Sequence, residues 1–77
     1  MYLGGEEMDK QYRQYSIKEL RARKDITQGE LAKLTGLTAR TIYVYEKDAA
    51  NLRNASYSNI KKIADALDVK VEEIFLG

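Results

Sequence analysis

The sequence predicts an all-α fold, a compact five-helix bundle, and three observations carry that prediction. Apolar residues recur at helical rather than strand spacing, proline is absent, and S/T-x-x-E signals stand ahead of apolar runs. The 77 residues include no Cys, His, Pro or Trp. A single domain of this size buries only about 60% of the surface its unfolded chain exposes. Without Cys there is no disulfide framework and no thiol nucleophile, and structural zinc sites draw mainly on Cys and His. The commonest general base near neutral pH is missing too. The composition therefore points to a non-enzyme with no cofactor and no metal. No apolar run approaches the ~18 residues of a membrane span, and the start does not resemble a signal peptide. A cytoplasmic domain without membrane contact is expected.

Residues 1–15 are polar, contain Gly4-Gly5 and lack helical periodicity, so they read as a flexible N-terminal arm ahead of a folded domain, 16–77. Ser16-Ile17-Lys18-Glu19 has the capping-box form and predicts a first helix from Ile17 to Lys24, with Ile17 and Leu20 facing inward. Thr27-Gln28-Gly29-Glu30 repeats the signal. The second helix carries Leu31, Ala32 and Leu34 and stops at Gly36, a suitable left-handed C′ residue. Leu37 alone separates that stop from Thr38, which opens a third helix from Ala39 to Lys47, with Ile42 and Tyr45 on its inner side. Two short helices around a glycine turn make a helix-turn-helix in helices 2 and 3. Residues 48–55 read as a loop. Ser56 or Ser58 caps a fourth helix whose Ile60, Ile63, Ala64 and Leu67 form an i, i+3, i+4, i+7 stripe, and Asp68 ends it. Val71, Ile74 and Phe75 mark a short fifth helix.

The stretch ITQGELAKLTGLTARTIYVYEK, followed by IKKIADAL (60–67) and VEEIF (71–75), resembles the Cro/repressor-type (XRE-like) helix-turn-helix family, the lambda- and 434-type DNA-binding regulators. The resemblance spans Ile17 to Phe75. It implies that helix 3 (38–47) enters the major groove, with the family's base-reading positions falling on Thr38, Ala39, Arg40, Tyr43 and Val44. The Arg40 guanidinium suits guanine O6 and N7, Ala39 and Val44 suit thymine methyl groups, and Tyr43 offers a hydroxyl. The plainer readings are a solvated charge or phosphate contact for Arg40 and partial packing for Tyr43. The implied phosphate set is Gln28, Thr41, Lys47, Arg53 and Asn54, with an ordinary solvated surface as the alternative for Lys47, Arg53 and Asn54. Ala39 stands where the family often has a polar residue braced by Gln28. Arg21 and Glu46 resemble a structural ion pair tying helix 1 to the end of helix 3. Family members commonly bind pseudo-palindromic operators as dimers and use the Phe75 position to close the core, which implies Phe75 in the core and Leu76, with Tyr57 or the N-terminal arm, at a homodimer contact.

A formal charge of +1 and a pI near 7.9 fit poorly with a nucleic-acid binder, whose usual footprint is a pI above ~9. Placement resolves this. Residues 16–47 hold seven bases and four acids, whereas 1–15 and 48–77 each carry one excess acid. The expected function is a sequence-specific DNA-binding transcriptional regulator, a repressor, acting on double-stranded DNA without a small-molecule effector. The alternative is a protein-interaction module, for example the partner of a toxin, that kept the fold while losing specific DNA reading. A hydrolase reading fails because no acidic pair falls in a plausible cleft.

Overall fold

The computed structural model describes residues 13–77, and the part of the expected arm spanning 1–12 lies outside the described residues. Among the described residues five α-helices follow one another: α1 (Ile17–Lys24), α2 (Gln28–Thr35), α3 (Ala39–Lys47), α4 (Ala49–Arg53) and α5 (Tyr57–Leu67). A 3₁₀ turn, Val71–Glu73, follows α5. The all-α class and the boundaries of the first three helices stand as expected.

Local chemistry sets most of the ends. Ser16 and Thr27 form capping boxes with Glu19 and Glu30, each hydroxyl accepting the N3 amide while the carboxylate accepts the cap amide. Ser56, not Ser58, caps α5 through Asn59 N–H. Gly36 takes φ 77°, a left-handed conformation that ends α2 and turns the chain toward α3. No heavy atom lies within 4 Å of where its Cβ would stand, so the demand there is conformational and not steric. Asp25 and Asp68 adopt the same left-handed region at φ 58° and 61°, ending α1 and α5.

The core joins every element. Ile17 and Leu20 of α1, Leu31 and Ala32 of α2, Ile42 of α3 and the α5 stripe Ile60, Ile63, Ala64 and Leu67 are all buried. Thr35 is buried as well. Its hydroxyl lies 2.9 Å from the Leu31 carbonyl and accepts Leu37 N–H at 3.2 Å, stitching the turn from inside. A buried hydroxyl holds its place only when hydrogen-bonded, and this one is.

Five expectations need correction. Residues 48–55 are not a loop: Asp48 accepts Ala50 N–H as the cap of α4, which plants Leu52 in the core at 1% exposure. The predicted fifth helix is only the Val71–Glu73 turn, because the backbone is extended from Ile74 (φ −95°, ψ 128°). In extended chain successive side chains alternate sides. Ile74 therefore enters the core, Phe75 turns out to 45% exposure, and Leu76 packs back inward, so Phe75 is not a core residue. Tyr15, assigned to the arm, pairs with Ile74 in a parallel bridge; it donates to Glu73 C=O at 2.9 Å and accepts Phe75 N–H at 2.8 Å. Its ring also lies 3.9 Å beneath the Arg23 guanidinium. Leu34, grouped with the apolar residues of α2, stands on its solvent side at 62% exposure.

Candidate nucleic-acid interface

The α3 helix begins at Thr38, whose hydroxyl accepts Thr41 N–H at 3.1 Å and lies 2.9 Å from the Thr41 hydroxyl. The two threonines thus cap and square off the start of the helix. Ile42, fully buried, pins the inner side, and the half-buried Tyr45 receives a 3.0 Å hydrogen bond from Asn59 of α5 on its hydroxyl. With that side committed, helical spacing sends Ala39, Arg40 and Tyr43 outward. All three are exposed along with Thr38, while Val44 and Thr41 are half-buried at the edges. Four of the five expected base-reading positions, Thr38, Ala39, Arg40 and Tyr43, are thus exposed, with Val44 half-buried at the edge further along α3. Arg40 lies 6.0 Å over the Tyr43 ring, a loose stack, and its guanidinium forms no ion pair among the described residues.

The far end of α3 is built differently. Glu46, with its side chain 7% exposed, accepts Arg21 Nε and Nη2 at 2.6 and 3.0 Å, and Arg21 Nη1 reaches Ile26 C=O at 2.9 Å. The bidentate fork between Arg21 and Glu46 fixes α1 against α3. Burial pushes the Glu46 carboxyl up, but the hydrogen bonds from Arg21 and Gln28 and the Arg21 and Lys18 charges outweigh it, leaving its pKa lowered. The hydrogen bond to Glu46, against a smaller burial penalty, holds Arg21 raised.

Gln28 belongs to this cluster. Its amide nitrogen donates to Glu46 Oε1 at 2.9 Å, which commits one of its two amide hydrogens internally. Sequence reasoning had seen it only as a phosphate contact or a brace for residue 39. The missed signal is the small Ala39, which offers Gln28 nothing to hold and leaves Glu46 as its partner.

The loop positions separate. Arg53 donates through Nη1 to Leu76 C=O at 3.1 Å, tying α4 to the chain end, while Asn54 is the exposed residue closing α4. Lys47 is exposed at the end of α3 and lines a surface groove with Lys18, Arg21, Gln28, Tyr43 and Glu46. The structure thus brings Gln28, Thr41 and Lys47 around α3, whereas Arg53, itself exposed, lies on α4 and gives one guanidinium nitrogen to the Leu76 carbonyl. Of the two expected dimer residues, Tyr57 is exposed and Leu76 packs against the core of its own chain. Asn51 was not anticipated; its amide donates to Val44 C=O at 2.9 Å and helps to close the end of α3. Among the described residues no cluster of metal-ligating side chains occurs, and no helix is long and apolar enough to cross a membrane.

Comparison with known proteins matches residues 17–74 to a family model described as helix-turn-helix. A protein of Archaeoglobus fulgidus described as an uncharacterized HTH-type transcriptional regulator is 42% identical over 60 residues, covering 78% of this chain and 80% of the relative. No solved structure matches significantly.

Proposed function

The chain belongs to the helix-turn-helix family of the Cro/repressor (XRE) type, and on that premise we propose that it is a DNA-binding transcriptional regulator that reads the major groove with α3. One observation carries the reading. The family match coincides with an α3 whose inner side is locked by Ile42 and Glu46 while Thr38, Ala39, Arg40 and Tyr43 stand free on its outer side. Arg40 offers the paired donors that suit guanine O6 and N7, Ala39 and Val44 supply apolar contact to thymine methyls, and Tyr43 a hydroxyl. Few hydrogen-bonding readers imply that DNA shape carries part of the specificity. Gln28 with its remaining amide hydrogen, Thr41, Lys47 and Asn54 meet phosphates at the edges.

The protein acts as a repressor on a pseudo-palindromic operator, as a homodimer contacting through the exposed Tyr57, without a small-molecule effector, an enzymatic activity or a membrane. One module buries little area on DNA, and a two-fold pair places two α3 helices about one helical turn (~34 Å) apart. A mobility-shift titration against the protein's own upstream region at two salt concentrations tests the reading. Saturable binding that weakens with salt is expected. No binding to any duplex at about 50 mM salt, where phosphate contacts are strongest, overturns it in favour of a protein-interaction module.

A further inference from the structure

We propose that Asn59 of α5 is a positioning residue for DNA reading, acting through the Tyr45 hydroxyl to fix the roll of α3 about its own axis; this rests on the DNA-binding reading above. Ile42 is the central pin of α3. Glu46, four residues on, is held by Arg21 of α1 and Gln28 of α2. These two attachments lie almost on one line along the helix, so by themselves they let it rock about that line. Tyr45 stands off the line, about 60° to the other side of Ile42 at helical spacing. Its hydroxyl accepts the Asn59 amide at 3.0 Å, and this third attachment stops the rocking. Asn51 also holds α3, but at the Val44 carbonyl, close to the helix axis, where it has little purchase against roll.

Local helix chemistry gives no reason for Asn59. It occupies the N3 position of α5, with its N–H on the Ser56 hydroxyl. At N3 of α1 and α2 stand Glu19 and Glu30, whose carboxylates reach back to close capping boxes. Asn59 sends its amide across to α3 instead. The Tyr45 ring packs against the core with or without its hydroxyl, so the bond adds little to burial. What it governs is direction. A helix with its side chains is ~10–12 Å across, so a roll of about 10° moves its outer surface by about 1 Å. Binding groups have to be held within about 0.5 Å. A two-point contact from Arg40 to guanine O6 and N7 tolerates such a shift least. Phosphate contacts made by flexible lysine stems follow it.

The test measures, by fluorescence anisotropy, the affinity of the full chain for two labelled duplexes. One is the sequence that the wild type selects from a randomised pool, and the other is of random sequence. A single neutral hydrogen bond can bias their ratio by roughly two- to twelvefold at most. Tyr45→Phe, which keeps the ring, and Asn59→Ala are each expected to lower the ratio about three- to tenfold, with random-duplex affinity held within about twofold. The double variant should fall no further than either single one, because both break the same bond. Asn59→Asp should keep the wild-type ratio, since a carboxylate accepts from the Tyr45 hydroxyl, even where its charge weakens both affinities. Circular dichroism at the binding temperature establishes that each variant is folded. An unchanged ratio in Tyr45→Phe overturns the positioning role and leaves the regulator reading standing. A wild type that binds no duplex, or selects none from the pool, overturns both.

Discussion

The two ends of α3 are opposites. At its C-terminal end Glu46 spends both oxygens on Arg21 and Gln28 and is nearly sealed from water. At its N-terminal end Arg40 forms no ion pair among the described residues and Tyr43 is 46% exposed. A helix of nine residues is too short to be stable alone. Anchoring one end and the Ile42 side by tertiary contact leaves Arg40 and Tyr43, near the other end, without a part in holding the core. That division predicts that stability and DNA binding respond to different residues of one helix.

The largest expected effect comes from the anchored end. Glu46→Ala leaves Arg21 with a half-buried, uncompensated charge and should cost ~3 kcal/mol, near the lower limit for such pairs because Arg21 still reaches water. Urea unfolding measures it, and a loss under ~1 kcal/mol, the worth of an exposed pair, would break the comparison. The pKa of Glu46 is lowered on folding, so its contribution is present above the ordinary glutamate value of 4.5 and is lost as pH falls below that toward the depressed folded value. The stability gap between wild type and Glu46→Gln should therefore narrow in acid and stay constant between pH 6 and 8, about two units and more above that value.

Arg40→Ala comes next and acts on the other quantity. It should remove ~1–3 kcal/mol of discrimination between operator and random DNA, while unfolding stays within about 0.5 kcal/mol of wild type. Equal affinity for both duplexes in the wild type, or an unchanged ratio in the variant, would remove Arg40 from the reading role. Gly36→Ala changes the turn ahead of α3. At φ 77° the added Cβ meets no neighbour but forces a left-handed alanine, for a loss of ~1–2 kcal/mol in stability. The smallest effect is expected at Thr38. Thr38→Ala removes the cap for ~1 kcal/mol, whereas Thr38→Ser restores it to within about 0.5 kcal/mol. If serine restores stability and not DNA binding, the threonine methyl is part of the contact surface.

The N-terminal half was legible in detail because its signals are local. Ser16, Thr27 and Gly36 each act within four residues, and the structure places them as caps and stop. The α5 stripe was equally plain, since four apolar residues at helical spacing leave one solution. Three features escaped for physical reasons. A five-residue α4 is too short to show a period, so only Asp48 ahead of two alanines and the lone Leu52 hinted at it. The Phe75 reversal depends on whether residues 74–76 continue as helix or extend, and pairing with Tyr15 decides for extension. The switch of Gln28 to Glu46 spans 18 residues, beyond any local pattern. In the interface, the set Thr38 to Val44 was visible from resemblance and spacing, whereas the groove that gathers Lys18, Gln28 and Lys47 exists only once α1 packs against α3.

The sequence by itself determined the class, the helix-turn-helix and the caps, because backbone conformation and helix ends answer to neighbours a few residues away. It also placed the basic excess in residues 16–47, which reconciles a near-zero total charge with a DNA-facing surface. Only the tertiary structure decided how those charges divide. Arg21 is cancelled by Glu46, Arg53 gives one nitrogen to the Leu76 carbonyl, and Lys18, Arg40 and Lys47 are exposed with no ion pair among the described residues. A charge gains or loses its availability through partners brought together by packing, and that is fixed only when the chain has closed on itself.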